Sequence, residues 1–194
     1  MEIIIMTKRR NFSVNAIHHT WTLLDQLYYL CTRLEYVNKQ ENIFRVRPMK
    51  YRGKDLHLSD GTLLKGKDLV LKIHLHNCLL MKELQGMEGQ IRRALYVYDR
   101  VRESLPGLAQ FIENHPNQKQ IKGILGITLL HRGIHRLGFD AVEIPNPFYA
   151  KLKQAYLTPM FLFLHPRNST SQEKDKLTPK FLAMSKDKLL QTYL

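Results

Sequence analysis

Acidic residues are scarce in this chain. Its 194 residues hold 17 Asp and Glu against 30 Lys and Arg, a formal net charge of +13. Such an excess predicts attraction to anions: nucleic acid, anionic lipid, teichoic-type polymers or phosphorylated ligands. Cysteine is nearly absent too. Cys31 and Cys78 form no metal or redox motif and read as buried thiols of a reducing compartment, although two such residues also permit a disulfide. No run approaches the ~18 apolar residues needed to span a bilayer. The start, MEIIIMTKRR, places apolar residues before charges, the reverse of a secretory signal. There is no G-x-S-x-G elbow, no P-loop and no G-x-G-x-x-G. These absences favour a cytoplasmic protein that is not an enzyme, with no cofactor and no metal, and with an anionic membrane surface as a possible contact from inside.

What is present is a chain of about one domain, long enough to bury a core, with 44% hydrophobic residues. Residues 1–12 read as a flexible basic start. From Ser13, a plausible cap, two adjacent stripes (Val14, Ile17, Trp21, Leu24, Tyr28 and Leu23, Leu27, Leu30, Leu34) predict an amphipathic helix. Ile43–Val46, Leu56–Ser59 and Leu69–His76 read as a β-meander, with Asp60-Gly61 and Gly66-Lys67-Asp68 as turns. Leu84 to Leu105 has helical spacing, and Pro106-Gly107 is expected to break it. Strands are expected at Ile121–Thr128, Ala141–Ile144 and Met160–His165, and helices at Leu129–Leu137 and Pro147–Leu157. RNSTSQEKDK reads as a polar linker, and the last residues as a docking helix. The expectation is a single α+β domain over residues 13–165, a mixed sheet with helices packed on it, followed by a linker and docking helix over 166–194.

Three stretches could carry function. In LVLKIHLHN, strand alternation puts Lys72, His74 and His76 on one face, with Asn77 at the strand end. The two imidazoles would lie roughly 6–7 Å apart, close enough to share a ligand. A zinc site needs further ligands that nothing nearby supplies. An anion- or sugar-binding face, or a solvated polar face, explains them as well. In HRGIH, a helix would align His131 with His135 and Arg132 with Arg136, a face better suited to phosphate or carboxylate than to metal. In FRVRPMKYRGK, Arg45, Arg47, Lys50, Arg52 and Lys54 interleave with Phe44 and Tyr51. That is the footprint of single-stranded nucleic-acid binding, but also of any half-solvated strand.

Read together, YRGKDLHLSDGTLLKGKDLVLKIHLHN, IRRALYVYDRVRESLPGLAQFI and IKGILGITLLHRGIHRLGFDAVEIP resemble the YkoP-like domain family. The D-G…G-x-D…H-x-H-N and R-L-G-F blocks are the most specific parts, and the similarity runs from about Trp21 to the closing FLAMSKDKLLQTYL. This family occurs in Bacillus-type bacteria, alone and appended to polysaccharide deacetylase domains. The resemblance implies an accessory or binding module for an anionic or carbohydrate cell-envelope ligand. It does not carry deacetylase chemistry: Ser59-Asp60-Gly61 lacks paired aspartates, and His131 to His135 lacks the hydroxyl of H-[ST]-x-x-H. A weaker similarity, of the strand 69–76, helix, strand 121–128 order, is to GCN5-related N-acyltransferases using acetyl-CoA. Gln85 to Ile91 would then be the pyrophosphate loop, with its glycines out of register and Glu88 repelling phosphate. A nucleic-acid or anionic-membrane binder acting through Arg45 to Lys54 is the third reading.

Overall fold

The strand alternation at Leu69 is realised in the centre of a six-stranded sheet. A computed structural model describes residues 34–131, 133–164 and 178–194, so the helix expected from Ser13 and the RNSTSQEKDK stretch lie outside the described residues. The strands are β1 (Glu35–Tyr36), β2 (Phe44–Lys50), β3 (Leu56–His57), β4 (Leu63–Leu64), β5 (Leu69–Leu75), β6 (Ile121–Thr128), β7 (Asp140–Glu143) and β8 (Lys180–Ser185). The main sheet runs β1-β2-β5-β6-β8-β7, and β3 pairs only with β4. Among the described strands only β5 and β6 are parallel; the other neighbours are antiparallel. A parallel pair needs a crossover, and α1 (Asn77–Glu83) with α2 (Gln90–Glu113) supplies it. The remaining helices among the described residues are α3 (Pro147–Leu164) and α4 (Lys186–Tyr193). The result is an α+β domain with a mixed sheet.

One face of the sheet is the main core. Phe44, Val46, Leu71, Ile73, Ile124 and Met184 pack with α1, α2 and Leu189 of α4. The opposite face has a smaller apolar cluster, in which Val70, Leu125 and Ala183 meet Tyr51, Leu58 and Leu64 beside the β3–β4 hairpin. That hairpin is held by polar bonds. The Ser185 hydroxyl donates to the Asp60 carboxylate, Ser59 N–H donates to Asp140 at 2.9 Å, and Lys188 Nζ donates to the Ser59 hydroxyl at 3.0 Å. Burial pulls the Asp60 pKa upward, but the bonds from Ser185 and Thr62 and the Lys188 charge outweigh it and hold the carboxyl below its usual value.

Five features differ from expectation. The three expected strands do not form a meander: β2 pairs directly with β5, and Leu56–His57 pairs with Leu63–Leu64 in a separate hairpin. Pro106-Gly107 does not end its helix: α2 runs through to Glu113 with Pro106 inside. The Asn42 amide donates to Ser104 O at 2.8 Å, and the Ser104 hydroxyl accepts from Ile43 N–H at 3.2 Å. A Cβ on Gly107 would come within 2.7 Å of Asn42 Nδ2, so glycine is required by this close approach. Arg100 pairs with Glu83 at 3.1 Å and fastens α1 to α2. Met160 to Leu164 continue α3 instead of forming a strand. Leu129–Leu137 is not an α-helix: Gly133 adopts φ 76°, and only Ile134–Leu137 form a 3-10 turn, stopped by Gly138 at φ 83° as expected. Lastly, Lys180–Ser185 is not part of a helix but a strand between β6 and β7, and α4 begins only at Lys186, capped by Ser185.

Candidate functional site

Antiparallel register decides which side chains of β2 and β5 share a face. Arg45 lies opposite His74, Arg47 opposite Lys72, and Met49 opposite Val70. Val70 belongs to the smaller apolar cluster, so Lys72, His74, Arg45 and Arg47 stand on that same, second face. β1 extends the group, because Tyr36 pairs with Arg45. The Tyr36 ring is 5.9 Å from the Arg45 guanidinium and meets the His76 ring edge-on at 5.4 Å. Lys153 of α3 reaches the cluster from another part of the chain: its charge acts on both Lys72 and His74. Its Nζ lies 5.4 Å from the Tyr149 ring and 5.7 Å from the Tyr156 ring.

Directly opposed like charges destabilise an antiparallel pair. On this face burial comes first and neighbouring charge second in displacing the protonation equilibria. Burial, then the charges of Lys153 and Arg47, push Lys72 down to about 8. Burial, then Lys72, Arg45, Arg47 and Lys153, push His74 down to about 3. Burial and Arg47 lower Lys153. At neutral pH His74 is therefore a neutral ring that can donate and accept, beside two guanidinium groups and the amine of Lys72. Such a face can bind an anion by charge-assisted bonds and take up a proton while doing so.

The other expected residues are placed differently. The basic stretch of β2 divides. Arg45 is 2% exposed and Arg47 joins it in the cluster, whereas Lys50, Arg52 and Lys54 lie exposed at the strand end and on the following loop. Phe44 and Tyr51 are 1% and 7% exposed, so neither ring is open to a nucleobase. The interleaving is that of a strand with one face in the core, which corrects the single-strand footprint. Asn77 is the first residue of α1, and His76 occupies the cap position without a side-chain cap bond. His131 precedes the turn in irregular chain and His135 and Arg136 are exposed on the 3-10 turn, so the shared helical face expected for HRGIH does not exist. Arg132 lies outside the described residues. Because β5 and β6 are parallel, His76 and His131 follow their strands at the same end of the sheet, whereas His135 and Arg136 lie on the return toward β7. Among the described residues no group of three His, Cys, Asp or Glu is placed to hold a metal ion. Cys78 is half-buried in α1, and Cys31 lies outside the described residues.

Sequence reasoning missed Tyr36 and Lys153. Neither carries a local signal; register and the packing of α3 bring them in. It also missed a second concavity. An open groove of about 730 Å³ lies between the β1–β2 connection and the C-terminal turns of α2. Glu35, Glu41, Glu103, Asn38, Asn114 and the ring of Phe111 are among its lining. Its chemistry is opposite to that of the sheet face. Gln85 to Ile91 forms the turn into α2, with Gly86 and Gly89 at φ 79° and 89° and Glu88 exposed. Arg93 Nε donates to the Met87 carbonyl at 2.8 Å across this turn.

Comparison with known proteins gives a family but no chemistry. No solved structure matches the chain, so the acyltransferase-like topology gains no support. Among the described residues no helix is long and apolar enough to cross a membrane. The family model described as the YkoP domain matches residues 14–193. An uncharacterised protein of Bacillus subtilis strain 168, YkoP, is 39% identical over 174 residues, covering 89% of this chain and 93% of that protein. The blocks that carry the resemblance are the ones that build β5, the Asp60–Ser185 lock and the Gly133–Gly138 turn. The chain belongs to the YkoP family.

Proposed function

We propose that this protein is a binding module whose basic sheet face takes an anionic ligand bearing phosphate or carboxylate. One observation carries the reading: Arg47 opposite Lys72 and Arg45 opposite His74, with the Lys153 charge acting on Lys72 and His74, gather basic side chains on one face. An anion there would offset the repulsion between Lys72 and Lys153 and receive charge-assisted bonds from their ammonium groups. Arg47, Lys72, His74 and Lys153 are its contacts; Arg45, buried against the Tyr36 ring, adds its charge to the face. Envelope polymers with phosphate or carboxylate groups, and their phosphorylated precursors, are ligands of this class.

Calorimetric titration with inorganic pyrophosphate near pH 8 tests it. Binding should raise the Lys72 pKa, so the heat should vary with the ionisation enthalpy of the buffer. Lys72→Gln and Arg47→Gln should each weaken binding by on the order of tenfold. Absence of binding, or binding that ignores both substitutions, would refute the site.

A second reading is favoured by the groove. Three glutamates and several amides beside Phe111 suit a neutral, hydroxyl-rich ligand such as a saccharide, and would repel an anion. Neutral oligosaccharides that perturb Asn114 and Phe111 resonances, leaving His74 unmoved, would favour it over the sheet face.

A further inference from the structure

Helix α3 has two different sides. Tyr149 and Lys153, four residues apart, are half-buried, and Lys153 acts on the basic face. Phe148, Leu152 and Tyr156, also at spacings of four, are 77%, 57% and 45% exposed. Large apolar side chains in a row on an exposed helix are uncommon in a soluble monomer and mark an interaction surface. Charge identifies the partner. From Pro147 to Leu164 the helix carries Lys151 and Lys153 and no acidic residue. The same pairing recurs where α2 begins: Ile91 and Leu95 are 78% and 57% exposed, beside Arg92 and Arg93, with no acid from Gln90 to Tyr98. α2 and α3 touch one another. A second copy of the chain would bring Lys151 against like charge, in a molecule of net charge +13. An anionic lipid surface accepts both the apolar side chains and the cations beside them.

We propose that α3 docks on an anionic membrane surface, with Phe148 and Leu152 entering the headgroup boundary and Lys151 beside them at the phosphates. The protein would lie on the membrane, not span it. This does not depend on the sheet face, whose residues the test leaves untouched.

The full chain is sedimented with vesicles of phosphatidylcholine, with and without about a third phosphatidylglycerol. The expected result is binding to the anionic vesicles only, weakened by added salt. The double substitution Phe148→Ser with Leu152→Ser should weaken it by on the order of tenfold or more, with an unchanged near-ultraviolet circular dichroism spectrum because both side chains are exposed. Lys151→Glu should weaken it with the apolar row intact. Failure of the wild type to sediment with anionic vesicles would overturn the proposal. So would a double variant that binds like the wild type, which would assign the binding to charge elsewhere. A lipid-free dimer that the double substitution dissociates would also overturn it, assigning the row to a second copy.

Discussion

Lys72→Met should make the protein more stable at pH 7. Methionine keeps most of the stem that lies along β5 and removes only the ammonium. In the folded chain Lys72 titrates at about 8, against 10.5 for an ordinary lysine, chiefly because of burial and then because of Lys153 and Arg47. That difference corresponds to about 3 kcal/mol against the charged form, and partial exposure and screening reduce the effect to about 1–2 kcal/mol. Between pH 8 and 10.5 the unfolded chain binds the proton that the folded chain has lost. Wild-type stability attributable to Lys72 therefore rises with pH across that window, and the full penalty applies below it. The advantage of Lys72→Met should be constant below pH 8 and vanish above about 10.5. Urea denaturation of both proteins at a series of pH values, in phosphate-free buffer, measures the difference directly. A variant less stable than wild type at pH 7, or a difference that does not shrink with pH, would show that Lys72 is not held in an unfavourable site. The same variant should bind pyrophosphate more weakly, so stability and binding should move in opposite directions.

Other perturbations have equally definite outcomes. His74 titrates at about 3 in the folded chain and 6.5 when unfolded. Acidification from 6.5 therefore protonates only the unfolded state, costing about 2 kcal/mol by pH 5. His74→Gln should flatten that part of the stability profile; an unchanged acid limb would place the imidazole in a more open environment. Asn42→Ala should cost about 2–4 kcal/mol, because Ser104 O and Phe44 N–H would lose their partner in a buried site. Gly107→Ala should cost about 1–2 kcal/mol despite the better helix propensity of alanine, by crowding Asn42; thermal unfolding checks both, and a stabilised alanine variant would refute the close approach. Asp60→Asn should remove stability that wild type has above pH 4 and loses on acidification, so the two unfolding midpoints should converge at low pH.

The legible parts of the fold were those where one periodicity had no competitor. Leu69 to Leu75 alternates cleanly, and Leu84 to Leu105 repeats at helical spacing; both elements are found, the helix starting later at Gln90. Short apolar runs were misread because neither period is decisive in them. Met160 to Leu164 looks like a strand and is helical, while Lys180 to Ser185 looks like a helix lead-in and is a strand. Pro106 misled because the penalty for an internal proline is local, whereas the contacts of its helix reach across the chain: the Asn42–Ser104 bond spans 62 residues. In the candidate site, the shared face of Lys72 and His74 was visible from alternation. Pairing with Arg45 and Arg47 was not, since register is set between strands. Lys153 was invisible for the same reason: nothing local links it to a strand 81 residues earlier in the chain.

The position of β8 has a consequence for how the chain is made. Synthesis delivers β1 to β7 well before β8, yet β7 is joined to the sheet only through β8. Until Lys180 to Ser185 emerges from the ribosome, β6 presents an open edge and β7 has no neighbour in the main sheet. The nascent chain thus carries an unpaired edge beside an apolar run, the arrangement that invites wrong strand pairing. Completion of the sheet therefore waits for Lys180–Ser185, and any pause in translation between Glu143 and Lys180 would prolong the interval in which that edge stays open.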